Sequence, residues 1–406
     1  MIAMTPPPFV LVADAWFDGT RHHDHAVTLQ VVDGTIRDIA AGDHAAALAA
    51  QGWAVERGAF LMPGLVDAHV HLFLDGRITD STARSAHLKQ DVESLTACAQ
   101  ASARQALACG VTMVRDAGDR HGINNRVRDL ARAPASGMAA VRSGGLGVKR
   151  AKRYGAFMAT DVDDDASIRA SVRALAADND EIKLILTGVI DFDAGAVTDT
   201  PQFTVDAARL VVDMAHACGR KVFAHCSGTL GLEVAVAAGV DSIEHGFFMR
   251  RDFLARMRDR GLAWTPTFCP VHAQWAHPEA AGWSAQTIGN LRRILDDHAG
   301  QVRLAQEMGV RLLVGTDAGS MGVPHGDAVF DEIERFVEAG LSTDAALTAA
   351  TSAPREHFGM AHPTLAAGSP FDAVLLEASP HAGLQALRRP LRVWRDGIEL
   401  QRRARG

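Results

Sequence analysis

The sequence predicts an α/β fold: a (β/α)8 TIM barrel with a small β-sandwich domain built from both chain termini. Three features point there. Short apolar runs alternate eight times with alanine-rich segments of helical period through the middle of the chain, the pattern of consecutive βα units. Several helical segments end in a glycine just before the next apolar run, at Gly110, Gly219, Gly239, Gly261, Gly309 and Gly340, where glycine suits a left-handed C-cap. The two ends read instead as short strands joined by tight turns.

From about Phe9 to Phe60 the chain reads as strands. VTLQVVDGTIRDI sets the turn Asp33-Gly34 between two alternating apolar runs, a strong hairpin signature. The stretch from about Leu365 to Arg403 is similar: FDAVLLEA and LRVWRDGIEL are strand-like, and the second carries the turn Asp396-Gly397. These ends are expected to form one sandwich, over 1–60 and 361–406, around a barrel over 61–360. Within the barrel, strands are placed near 65–72, 111–118, 137–144, 181–188, 221–228, 241–246, 262–268 and 311–319. Helices fit 88–109, 123–133, 163–178, 203–218, 229–239, 251–260, 285–308 and 327–340. Alternation alone also fits a doubly wound open sheet. The 406-residue length accommodates a barrel of ~250–300 residues plus a smaller unit.

Composition excludes several classes. With 48% hydrophobic and 22% charged residues, the chain reads as a soluble globular protein. A net charge of −7 with both signs interspersed argues against a nucleic-acid partner. No apolar run approaches the ~20 residues of a membrane span, and MIAMTPPPFVLVADAWF shows no basic leader. Cys98, Cys109, Cys218, Cys226 and Cys269 are scattered, without a CxxC pair. They are read as reduced thiols of a cytoplasmic protein.

In LVDAHVHL, His69 and His71 are two apart. On a strand they share a face, with backbones about 6–7 Å apart, and can converge on one ion. A buried, satisfied histidine pair is the bland alternative. Three more ligand-type residues sit at the C-terminal ends of expected strands, where barrel enzymes keep their chemistry: His225 in KVFAHCSG, His245 in DSIEHG and Asp317 in LLVGTDAG. Lys183 lies in the apolar strand EIKLILTGV. A bare ammonium there needs an acidic partner or neutralisation. Asp67 shares the face of the two histidines and is read as a buried partner to one of them.

The run LMPGLVDAHVHL resembles the opening strand of the amidohydrolase superfamily, PG-[apolar]-[apolar]-D-x-H-x-H. With His225, His245, Asp317 and Lys183 in order, the resemblance spans nearly the whole chain and is nearest the binuclear branch, with Xaa-Pro dipeptidases and arginine carboxypeptidases; imidazolonepropionase is similar too, but it normally works with one metal and without the bridging lysine, so Lys183 argues against a close match. The resemblance implies two divalent metal ions. His69, His71 and Asp317 would hold one; His225 and His245 would hold the other. Lys183, carbamylated by CO2, would bridge them together with a hydroxide. Zinc suits the ligand set, with manganese, iron and cobalt as alternatives. The bridging hydroxide would attack an amide carbonyl, and Asp317 would carry its proton to the leaving amine. Family members often self-associate, so a homo-oligomer acting on a small molecule is expected.

Substrate contacts are sought in the loops. SGGLGVKRAKRYGAFMATD carries Lys149, Arg150, Lys152, Arg153 and Tyr154, with glycines that would let it move as a lid. Arg153 and Tyr154 are the candidates to hold a substrate carboxylate. His325, in PHG after the eighth strand, resembles a recurrent feature of the branch. His272 and Trp275 could wall the pocket from the seventh loop, and His121 could face it from the second. Dipeptidase-like relatives often have His-Ala-His or His-Ala-Tyr on the fifth strand. Here the run is His225-Cys226-Ser227, which puts a small hydroxyl in place of a ring and widens the pocket. The leading expectation is hydrolysis of a dipeptide or N-acyl amino acid. Cyclic amides, lactones and carbamates are the alternative substrates. Deamination is disfavoured because HCSGTLGLE does not match the HxxE pattern. A non-catalytic scaffold is disfavoured because all six ligand candidates are present.

Overall fold

The computed structural model describes residues 7–400. The outer ends of the expected terminal segments, including the first six residues and Arg403, lie outside them. Through the middle of the chain, parallel strands alternate with helices. The strands are Leu65–Val70, Val111–Asp116, Ala140–Ser143, Ile182–Ile185, Val222–Cys226, Ser242–His245, Ala263–Thr265 and Arg311–Leu312, here called the first to the eighth. Most are buried along their whole length, as strands covered on both faces must be.

The first three strands form one parallel sheet and the last five belong to another. Hydrogen bonds join the two sheets at both edges. Ala68 N donates to Val314 O at 2.8 Å and Asp317 N to His69 O at 2.7 Å; on the other side Asp180 N donates to Ser143 O at 2.9 Å. The expected eighth strand over 311–319 is regular only at Arg311–Leu312. Beyond it the chain stays bonded to the first strand, but regular pairing fails as Asp317 takes a φ of 55°.

The helices start and stop where the chemistry dictates. Asp91, Asp164, Thr204, Ser284 and Ser342 each accept a backbone N–H of the first turn. All six glycines expected at helix ends adopt positive φ, between 69° at Gly261 and 105° at Gly340. The expected helix over 88–109 starts only at Val92 and runs to Ala108, because Asp91 caps it, and a separate short helix, Ser81–His87, precedes it.

The two ends of the chain meet in one eight-stranded mixed sheet, not in two separate sheets. Its order runs 398–399, 390–395, 373–376, 54–63, 9–17, 27–32, 35–41, with 22–23 also paired to 9–17. The strand Ala54–Pro63 crosses the expected boundary at residue 60, so the sheet runs directly into the first strand through Gly64. The sheet folds over an apolar face that includes Phe9, Leu29, Phe371 and Trp394. Its two DG turns touch: a Cβ on Gly34 would lie 2.4 Å from Asp396 O. Arg355 clasps the sheet to the parallel strands. It donates to Gly64 O at 2.8 Å and to Thr112 Oγ1 at 2.9 Å. His22 and His23 form a short strand and are half-buried. His23 stacks on Trp16 at 4.3 Å, and His22 on His381 at 4.1 Å.

Candidate active site

His69 and His71 emerge on one side of the first strand, as alternation requires. Across from them Asp317 Oδ1 lies 3.7 Å from His69 Nε2 and 3.5 Å from His71 Nε2. One ligand atom from each residue falls within 4.8 Å of the others. Beside this group the His245 ring packs 5.0 Å from His69 and 4.6 Å from His225. Lys183 is fully buried, its Nζ 4.8 Å over the Phe223 ring.

Each imidazole is aimed by its other nitrogen. His69 Nδ1 meets Glu244 Oε2 at 2.6 Å, His71 Nδ1 meets Gly118 O at 3.2 Å and His245 Nδ1 meets Thr267 Oγ1 at 2.8 Å. These contacts leave Nε2 of each ring free, the arrangement that metal-binding histidines use. His225 Nε2 lies 3.3 Å from Gly188 O. Burial holds His71 and His225 down at about 3, with the Lys183 charge adding to it, so both rings are neutral and can donate a lone pair. Burial raises Asp317 to about 6, against the hydrogen bond from Ser320 and the charge of Lys183. It lowers Lys183 to about 8 against the nearby Glu244 carboxylate.

Within this group two buried atoms, His69 Nε2 and Lys183 Nζ, have no hydrogen-bond partner among the described residues. Leaving such groups unpaired costs free energy. Neutral imidazoles, a carboxylate and an orphaned amine form a donor set that fits divalent cations. The acid partner that would make Lys183 an ordinary buried ion pair is not found within 4.0 Å among the described residues.

The backbone is strained where these side chains enter. His245, Thr267 and Asp317 hold φ of 67°, 53° and 55°, a left-handed conformation that costs non-glycine residues on the order of 1–3 kcal/mol each. All three line the same cavity.

Beneath the histidines lies a polar network that sequence reasoning missed. Arg115 is fully buried and donates to Ala68 O at 2.7 Å and Glu244 Oε1 at 2.7 Å. Glu244 also accepts from Ser242 Oγ at 2.6 Å. A charge inside the apolar run VTMVRDAG was as visible as Lys183 in its own. Asp67 partners no imidazole. It accepts from Thr316 Oγ1 at 2.6 Å and from the backbone of Thr316 and His69, tying the first strand to the chain beyond the eighth.

The cavity above the site measures about 410 Å³. Tyr154 and Ser227 are in its wall, with Tyr154 5.2 Å from the His225 ring. Four other candidates face elsewhere. Arg153 pairs with Asp199 at 3.4 Å and with Thr200 O. His121 is exposed, its backbone N–H held by Asp119 at 2.6 Å. His272 lies on the far side of the helix Phe268–Ala276, where Arg335 donates to it at 3.1 Å, with Trp275 beside it; that helix turns Pro270, Val271 and Gln274 to the cavity. His325 is buried and bonded to Leu74 O at 3.0 Å, outside the cavity lining.

The basic loop is not a free lid. Gly147–Lys149 and Ala159–Asp161 pair with each other, and Val148 pairs with Leu184 of the fourth strand. Its glycines permit close approach: a Cβ on Gly145 would lie 1.8 Å from Asn179 Oδ1, and one on Gly144 2.7 Å from Phe223. Lys149 pairs with Asp161, and Arg150 reaches Val162 O at 2.9 Å while lying over Phe203. The cation on the cavity wall is Arg84, from the short helix after the first strand. That helix was absent from the expected order, which hid Arg84.

Residues 60–398 match the family model for the Amidohydrolase family. The chain belongs to that family. This amidohydrolase is an enzyme, a hydrolase of C–N bonds. It is 29% identical over 370 residues to an uncharacterized protein of Mycobacterium tuberculosis, covering 90% of each chain. It is 26% identical to ochratoxinase of Aspergillus niger over 203 residues, 48% of this chain and 41% of that one. Its structure resembles that of a Xaa-Pro dipeptidase with methionine in its active site. The TM-score is 0.82 at 23% identity, over 97% of this chain and 99% of that one. The ochratoxinase structure superposes with a TM-score of 0.81 at 20% identity, over 97% and 95% of the two chains. At these identities the structural likeness speaks for the fold. No helix among the described residues is long and apolar enough to cross a membrane.

Proposed function

We propose that this amidohydrolase is a binuclear metal-dependent enzyme that cleaves an amide bond of a carboxylate-bearing small molecule. In this reading the two parallel sheets close as one (β/α)8 barrel with the site at the C-terminal ends of its strands. The observation that carries the proposal is the convergence of His69, His71 and Asp317 beside an orphaned, fully buried Lys183.

His69, His71 and Asp317 would hold one ion, and His225 and His245 the other. Lys183, carbamylated, would serve both; burial lowers its pKa, which raises the fraction of neutral amine that can react with CO2. Bound divalent cations, zinc for this ligand set, supply Lewis acidity and lower the pKa of water. The protein supplies the rest. Glu244 and Gly118 O fix the rings of His69 and His71, and Arg115 holds Glu244 in place. Asp317 takes the proton of the attacking water and delivers it to the leaving nitrogen. The apolar walls exclude bulk water, and the Tyr154 hydroxyl is available to the carbonyl oxygen at the tetrahedral stage.

The test is a screen of the zinc-loaded protein, in bicarbonate, against dipeptides and N-acyl amino acids, detecting the released amine. Turnover of at least one class is expected. A protein shown to hold two ions that hydrolyses neither class would refute the amide reading and favour lactones or carbamates.

A further inference from the structure

The charged residues around the mouth sort by whether they are already paired. Lys149 and Arg153 are held by Asp161 and Asp199. Arg84 is half-buried on the cavity wall, and among the described residues the one hydrogen bond its guanidinium makes runs from Nη2 to Gly319 O at 2.8 Å. No carboxylate lies within 4.0 Å of it among the described residues. Four of its five N–H donors are therefore uncommitted, on a wall it shares with Tyr154 and Asp317. Its charge is felt by both, although burial lowers its own pKa.

The rest of the lining is mostly apolar, including Leu74, Phe157, Ile190, Phe192, Phe247 and Met321. Among the described residues Asp317 is the sole acidic side chain in that lining, and it belongs to the candidate metal group. A free α-ammonium entering here would meet no available anion, and desolvating it would cost free energy. A carboxylate would meet Arg84.

Resting on the amide-hydrolase reading, we infer that Arg84 anchors the substrate carboxylate and that the substrate is an N-acyl amino acid with a large apolar acyl group, not a dipeptide with a free ammonium. The guanidinium fork takes both carboxylate oxygens while the acyl group fills the apolar chamber. The reaction is R–CO–NH–R′ plus H2O giving R–COO⁻ and R′–NH3⁺. The C–N bond breaks, the water oxygen stays on the acyl carbon, and the two water protons end on the nitrogen as the new acid ionises. The amino acid leaves still held by Arg84.

The experiment compares the zinc-loaded wild type with Arg84→Met and Arg84→Lys on N-acyl amino acids and on the same compounds amidated at the carboxylate. The wild type is expected to prefer the carboxylate and to disfavour a dipeptide against its N-acetylated form. Arg84→Met is expected to raise KM for the carboxylate by about 10- to 100-fold with little change in kcat. The carboxylate-to-carboxamide preference then collapses towards one, and Arg84→Lys falls between. An unchanged preference in Arg84→Met, or a dipeptide cleaved better than its acetylated form, overturns the inference. Binding of 3-phenylpropionate and 3-phenylpropanamide, measured by calorimetry with a thermal melt of each variant, separates this from the parent reading. Loss of the acid-over-amide preference in Arg84→Met sustains the anchor even if no amide is hydrolysed. Equal binding of both compounds by the wild type removes the anchor whatever the activity.

Discussion

Replacing Glu244 by glutamine changes one oxygen to nitrogen and reaches three partners at once. The carboxylate accepts from His69 Nδ1, Arg115 Nη2 and Ser242 Oγ at 2.6–2.7 Å, fully shielded from solvent. An amide can accept on one side only; its NH2 must face either the imidazole N–H or the guanidinium, both donors. Arg115 would be left with Glu181 at 3.8 Å as its nearest carboxylate. Breaking one partner of a buried pair costs on the order of 3–5 kcal/mol. Disturbing the group that orients a metal-binding histidine costs about 10–100-fold in affinity. Urea unfolding, followed by tryptophan fluorescence on the metal-free protein, reads the first quantity. Competition with a chromogenic zinc chelator reads the second. Stability within about 1 kcal/mol of wild type, together with unchanged zinc affinity, would refute the orienting role assigned to this network.

Two further substitutions probe the fold around the site. Burial raises Glu332 to about 8, against hydrogen bonds from the Phe268 and Cys269 backbone. The folded state therefore keeps a proton that the unfolded chain releases above its ordinary pKa of about 4.5. This contribution to stability is full below that value and is lost as pH rises to about 8, by at most about 1.4 kcal/mol per pH unit. Glu332→Gln should flatten that part of the profile in urea titrations from pH 5 to 8, and parallel curves for the two proteins would contradict it. At Gly315, a Cβ would sit 2.4 Å from Thr265 Cγ2 and 2.9 Å from His69 Cβ. Gly315→Ala should cost about 1–3 kcal/mol by overpacking and weaken zinc binding by displacing His69; a variant as stable and as tight as wild type would mean the site tolerates the shift.

The sequence made the parallel strands and their helices readable because each strand is a short apolar run closed by a glycine or a capping residue. It made His69, His71 and Asp317 readable because their spacing and strand-end positions are local properties. Substrate contacts were less legible. His272 and Pro270 are two apart on one helix, yet only Pro270 lines the cavity, and the rotation that decides this depends on packing against Arg335. Arg153 and Arg84 have equal charge; what separates them is Asp199, forty-six residues from Arg153 in sequence. The glycines of the basic loop pointed to motion, whereas the structure uses them for contact with Asn179 and Phe223. In the terminal sheet both DG turns were evident, but the contact between them joins residues from opposite ends of the chain and left no local trace.

Whether Lys183 helps to hold two ions is decided by metal stoichiometry, from elemental analysis of wild type and Lys183→Ala loaded with zinc in bicarbonate and freed of excess metal. About two ions per chain are expected in the wild type. A clear loss is expected in the variant, partly restored by a small carboxylic acid that takes the place of the missing carbamate. A wild type that binds no zinc, or a Lys183→Ala variant that keeps two ions, would contradict that role.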